Sequence, residues 1–246
     1  MKLVQQAVQR ALTLDPNLAE AYAIDAGAKM LFEWDWAGAE QALQRAVRLA
    51  PGSALVVSRA ARLHLILGQF EEAIRMNRRA IELDPLSAEA VGGLVLTLFC
   101  ANRYAESEEA QKKMLELAPD NPLAHNRLGR IYLRQKRFPE ALSQMEKIPE
   151  SIYRPHGLAL AYGALGRKEE AEKALRDLIK NYQKDAAVQI AEVYGAWGQF
   201  DDAFEWLERP YRQRDSGLVY IRWYTWTQPV AADPRFRALM RKIKLD

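Results

Sequence analysis

One cysteine, Cys100, stands in the 246 residues, so no internal disulfide can staple the chain. A lone thiol fits a reducing compartment, and nothing near it in sequence would lower its pKa, so a buried or groove thiol is expected rather than a nucleophile. The three histidines, at 64, 125 and 156, never fall at the i, i+4 spacing by which one helix face offers two ligands to zinc. His125 and His156 are expected on neighbouring helices, close enough to approach each other. No metal and no cofactor is expected. The chain lacks a G-x-S-x-G elbow, and Gly92-Gly93 has neither the further glycines nor the lysine of a phosphate loop. No stretch approaches 18 uninterrupted apolar residues, so nothing is expected to span a membrane, and no secretion-signal core is visible. A cytoplasmic location is therefore expected, or a periplasmic one if the parent protein is membrane-anchored. The net charge of +3 is too small to name a partner.

What the chain does have is a period. Trp36-Ala-Gly-Ala39 runs on to Pro51, Phe70-Glu-Glu-Ala73 to Pro85 and Tyr104-Ala-Glu-Ser107 to Pro119, so an aromatic, a small residue and a proline recur every 34 residues. Self-similarity at that spacing marks a helix–turn–helix solenoid, in which each unit buries its apolar face on its neighbours. The predicted fold is all-α, a right-handed superhelical solenoid of about six helical hairpins.

The hairpins are predicted in repeats 17–51, 52–85, 86–119, 120–151, 152–183 and 184–214, with a capping segment over 215–246. Residues 1–16 read as the second helix of a repeat without its first, apolar at Leu3, Ala7, Ala11 and Leu14, so the chain reads as a segment of something longer. Glycines at 68, 166 and 198 and Asn102 mark the turns inside hairpins, because they tolerate the left-handed conformation that closes a helix. Alanines at 39, 73, 141, 171 and 203 are expected where paired helices cross closely. From Phe138 to its equivalent Lys168 is 30 residues, about one helical turn short, and Tyr153-Arg-Pro155 is expected to break the rhythm. Pro210 is expected to kink or end its helix.

These residues resemble the tetratricopeptide repeat family over nearly the whole chain, best in Gly68-Gln-Phe70-Glu-Glu-Ala73 continuing to Arg79-Ala80-Ile-Glu-Leu-Asp84-Pro85. The resemblance implies non-catalytic recognition of a protein or peptide along the inner wall made by the first helices. A narrower one lies in Glu33-Trp-Asp-Trp-Ala-Gly-Ala-Glu40, Arg214-Asp-Ser-Gly-Leu218 and Asp233-Pro-Arg-Phe236…Leu239-Met. These look like a group of bacterial proteins whose array is the carboxyl-terminal regulatory region behind a winged-helix DNA-binding domain, a nucleotide cyclase or a protein kinase. No such effector is in this chain, which would be the sensory or docking half.

Arg127, Arg130 and Arg134, at i, i+3 and i+7, share one face of a first helix, with Asn126 beside them. Arg59 and Arg62 hold comparable positions two units earlier. Guanidinium forks grip carboxylates bidentately, so an acidic or carboxyl-terminated peptide is the expected guest, and charge reversal at Arg127 and Arg130 is expected to weaken it while sparing stability. The two-carboxylate clamp of chaperone-binding relatives is not expected, because its positions read Ser58, Arg62, Gly92 and Leu96.

Residues 209–246 carry a local +6 against −3 for the rest, and Arg222-Trp-Tyr-Thr-Trp226 followed by Arg235, Arg237, Arg241, Lys242 and Lys244 has the composition of a single-strand nucleic-acid binder. A terminal cap built on Trp223, Trp226, Phe236 and Leu239 explains the same residues, so no nucleic acid and no membrane partner is expected. Two alternatives stay open: a small-ligand sensor using the break near 149–155, and homo-oligomerisation through the leading helix.

Overall fold

The structure, a computed structural model, describes residues 2–224 and 227–246. The described residues form helices joined by short turns, with no strand among them. In chain order the α-helices are α1 Lys2–Leu14, α2 Ala19–Ala28, α3 Trp36–Leu49, α4 Ala54–Ile66, α5 Phe70–Leu83, α6 Ala88–Cys100, α7 Tyr104–Leu117, α8 Pro122–Arg134, α9 Phe138–Glu146, α10 Tyr153–Ala164, α11 Lys168–Tyr182, α12 Ala187–Ala196, α13 Phe200–Gln213 and α14 Pro234–Lys242. A π-helical turn, Lys29–Glu33, extends α2, and a 3-10 helix covers Leu218–Trp223. The fold is an all-α superhelical solenoid of tandem helical hairpins.

Local chemistry sets the helix boundaries. The side chains of Asp35, Ser53, Ser87 and Asn121 accept from backbone N–H groups three residues on, which the first turn of a helix leaves without partners. Arg103, Arg137 and Arg167 each stand just before a second helix and bond the glutamate three residues on. Ala39, Ala73, Ala141, Ala171 and Ala203 are sealed from solvent, since a larger side chain there would force apart the helices they lie between.

Every turn inside a hairpin places one residue at the same register in the left-handed conformation: Trp34 (φ 54°), Gly68 (82°), Asn102 (61°), Lys136 (60°), Gly166 (72°) and Gly198 (77°). Three glycines and an asparagine suit that backbone, whereas a lysine and a tryptophan do not.

Two prolines, Pro155 and Pro210, lie inside helices. Pro155 does not break α10 but lies in its first turn, where a missing N–H costs nothing because no intrahelical acceptor exists there. Pro210 does not end α13, which runs on to Gln213 with the proline ring buried. The shortened unit is stitched together by Arg154, whose guanidinium donates to the carbonyls of Glu146 and Ile148 at 2.7 and 2.5 Å. It takes up the backbone acceptors exposed where α9 stops early.

The chain divides into two compact units. The first comprises the chain up to Ala101 with Arg214–Val219 and Ile243–Leu245; the second comprises Asn102–Gln213 and Tyr220–Lys242. In the second, Ala159, Leu160, Ala174, Leu175, Leu178, Ala186, Ile190 and Val193 form one continuous core over α10, α11 and α12.

Candidate functional site

In the first unit the basic face is built on α4. Arg59 and Arg62, one turn apart, both reach forward to Glu89 in the first turn of α6. Arg59 Nε lies 2.9 Å and Arg62 Nη2 3.2 Å from the same carboxylate oxygen, Glu89 Oε1. The Arg59 guanidinium also lies over α2: a Cβ at Gly27 would stand 3.1 Å from its Nη1. All three side chains keep about a quarter of their surface exposed, at 25, 29 and 28% for Arg59, Arg62 and Glu89. Ser58, on the same helix, is buried with no hydrogen-bond partner for its hydroxyl among the described residues.

In the second unit three successive first helices meet in a polar cluster. Arg130 of α8 bonds Glu192 of α12 through Nη2 and Oε1. His156 of α10 places Nε2 3.2 Å from Glu192 Oε2. Asn126 of α8 donates to the Tyr153 carbonyl at 3.2 Å and lies 3.5 Å from His156 Nδ1. The Arg130 guanidinium lies 5.1 Å from the centroid of the Tyr224 ring. Burial works against the Glu192 carboxylate, but the Arg130 charge and His156 more than offset it and hold its pKa below the usual carboxylate value.

The sequence-predicted residues thus have distinct fates. Arg59 and Arg62 share Glu89, Arg130 holds Glu192, and Asn126 is buried. Arg134 turns to α7, donating from Nε to the Tyr104 hydroxyl at 2.8 Å and from Nη2 to Asn102 Oδ1 at 3.2 Å. Arg127 is half-buried on α8. His125 and His156 do not pair; His125 lies against Gln144 and the Pro119 carbonyl. Among the described residues no group of three metal-ligating side chains gathers.

Sequence reasoning missed the carboxylates. The same holds for Glu108 of α7, which receives Lys112, Gln135 and Arg137 at 2.6, 3.0 and 3.0 Å. Burial opposes its charge, but these three donors overcome it and lower its pKa from 4.5 to about 2. A depressed folded-state value contributes stability that is complete above the unfolded value and lost as pH falls through the folded one. Acid unfolding curves should therefore show stability falling between pH 4.5 and about 2, and Glu108→Gln should flatten that part of the profile.

At the carboxyl-terminal end most basic side chains are engaged. Arg235 pairs with Asp201 and Asp233, Lys242 with Glu208, and Arg222 stacks on Trp223. Phe236 and Leu239 are buried; Trp226, expected beside them in the cap, lies outside the described residues. In the first unit Arg214 stacks 3.9 Å from the Trp34 ring and the Trp36 indole donates to the Ile243 carbonyl at 3.1 Å.

Sequence profiles of the tetratricopeptide repeat match residues 58–122, 98–156 and 157–184, together just over half of the chain. The chain belongs to the tetratricopeptide repeat family. The small glutamine-rich tetratricopeptide repeat-containing protein 2 of Mycosarcoma maydis is 33% identical over 108 residues, 44% of this chain, and the chain spans only 31% of that protein's length. Among solved structures, PilW, a widely conserved type IV pilus biogenesis factor, superposes with a TM-score of 0.61 at 20% identity, covering 87% of this chain and 98% of that one. A chain of the APC/C hetero-tetramer Cut9–Hcn1 gives 0.65 at 15% identity over 98% of this chain and 45% of that one. At these identities the two structures speak for the fold. Tetratricopeptide arrays are in general scaffolds for protein–protein interaction, and this array is such a scaffold. None of its described helices is long and apolar enough to cross a membrane.

Proposed function

We propose that this tetratricopeptide scaffold recognises a protein segment rich in carboxylates through the arginine-bearing faces of its first helices, as the docking or sensory part of a larger bacterial regulator. One observation carries the reading: three of the arginines predicted to meet a guest carboxylate already meet one, Arg59 and Arg62 at Glu89 and Arg130 at Glu192. Side chains placed so that a carboxylate satisfies them are built for carboxylate recognition. The regulator context rests on the likeness of the Trp34–Trp36 and Arg214–Leu218 segments to regulatory arrays, and those segments contact one another in the first unit.

The test is fluorescence anisotropy with a labelled hexaglutamate peptide, with hexalysine as control. Arg62→Gln and Arg127→Glu should each weaken hexaglutamate binding at least tenfold, on the order of 1–3 kcal/mol, with little change in thermal midpoint. Unaltered binding in both variants contradicts the reading. Arg130 is unsuited to this test, contrary to the sequence expectation, because its reversal would set two carboxylates against each other at a buried position.

A second reading, self-association, rests on α1, where Leu3 and Leu14 are 80 and 78% exposed. Sedimentation equilibrium should then show a dimer that Leu3→Asp with Leu14→Asp converts to monomer; a wild-type monomer at all concentrations removes that reading.

A further inference from the structure

The two internal carboxylates are not equivalent. The Arg130–Glu192 pair has side chains only 17 and 11% exposed, is joined by His156, and has the Tyr224 ring near its guanidinium. Such a pair is part of the core of its unit. Arg59, Arg62 and Glu89 form a more open group, in which two guanidiniums lean on one oxygen of one carboxylate. Among the described contacts Arg62 spends a single N–H on Glu89. A guanidinium held by one N–H retains donors for a second carboxylate, and two forks around one oxygen make a weaker arrangement than a bidentate pair. Glu89 sits in the first turn of α6, where backbone N–H groups also favour a negative charge, so the acid is held in place by its helix and the arginines come to it.

We propose that Glu89 is an internal competitor: it occupies the Arg59–Arg62 pair in the unliganded protein, and a guest carboxylate binds by displacing it. This rests on the carboxylate-recognition reading above and deepens it, by naming the pair that takes the guest and the residue that sets its affinity. The guest contributes either an acidic side chain or a chain-terminal carboxylate, since both present the same two oxygens. A built-in competitor keeps singly charged segments from binding and selects guests whose further contacts make up the difference. The unusual consequence is that deleting a charged residue from the site should strengthen binding.

The experiment titrates labelled, carboxyl-amidated hexaglutamate into the full chain at low salt, comparing wild type, Glu89→Gln and Glu89→Gln with Arg62→Gln, and recording each thermal midpoint. Glu89→Met, which keeps the length of the side chain without its charge, takes the place of the glutamine variant should the latter melt early. A peptide of six serines with a free carboxyl terminus separates the two sources of carboxylate; a gain with either peptide supports the inference. Glu89→Gln should tighten binding about tenfold by relieving like-charge competition, and adding Arg62→Gln should abolish the gain. If wild type binds and Glu89→Gln binds no better, the competitor role is overturned while carboxylate recognition stands. If neither wild type nor any Glu89 variant binds either peptide, the competitor role and the carboxylate reading fall together.

Discussion

Trp34→Gly should destabilise the protein by about 3 kcal/mol, while Lys136→Gly, the same change at the same register, should stabilise it by about 1 kcal/mol. Both residues sit in the left-handed conformation that Gly68, Asn102, Gly166 and Gly198 adopt at the equivalent turns. Glycine relieves the backbone equally in the two cases. What differs is the side chain. Lys136 is exposed, so nothing is lost with it. Trp34 is 2% exposed, and its ring supports Arg214 at 3.9 Å. Burial of an indole outweighs the strain of its backbone several times over, which is why a tryptophan persists at a position suited to glycine. Paired chemical-denaturation curves check both signs. Equal effects would mean that backbone strain, not packing, governs this turn.

Arg130→Ala should be the most damaging change on the inner faces, costing about 3 kcal/mol or more by leaving Glu192 charged and buried without its cation. The double variant Arg130→Leu with Glu192→Leu should recover most of that loss, because it removes both charges and not one. The pH profile separates this from a packing effect. The Glu192 pKa is depressed in the folded state, so the pair's contribution is complete above about pH 4.5 and is lost as pH falls. Arg130→Ala should therefore differ most from wild type near neutral pH and least in acid. A difference that does not change with pH would assign the loss to packing.

Much of this was legible in the sequence and some was not, for definable reasons. The hairpin period and the left-handed turn residues are local signals: Gly68, Gly166 and Gly198 follow from steric demands that a single residue answers. A proline's effect depends on its position within a helix, which local reading does not supply; Pro155 lies in a first turn, and Pro210 has only three helical residues after it. The carboxylate partners were out of reach of local reading. Arg62 and Glu89 are 27 residues apart and Arg130 and Glu192 62 apart, distances that mean something only once the superhelix stacks the first helices side by side. A signal was nevertheless present. Counting the two shortened repeats, 30 residues from Phe138 to Lys168 and 32 from Lys168 to Phe200, places Glu192 at the register of Arg130. An acid and a base at one inner register, two units apart, point to a pair rather than to two ligands for a guest.

The central claim is that guests meet the arginines of the first helices. Following the arginine Nε–Hε resonances while hexaglutamate is titrated into the protein tests it most directly. Arg59, Arg62 and Arg127 should shift progressively, with Arg130 nearly still behind Glu192. Shifts confined to Arg237 and Arg241 of α14, with the inner-face arginines unmoved, would contradict the account and place recognition at the carboxyl-terminal end.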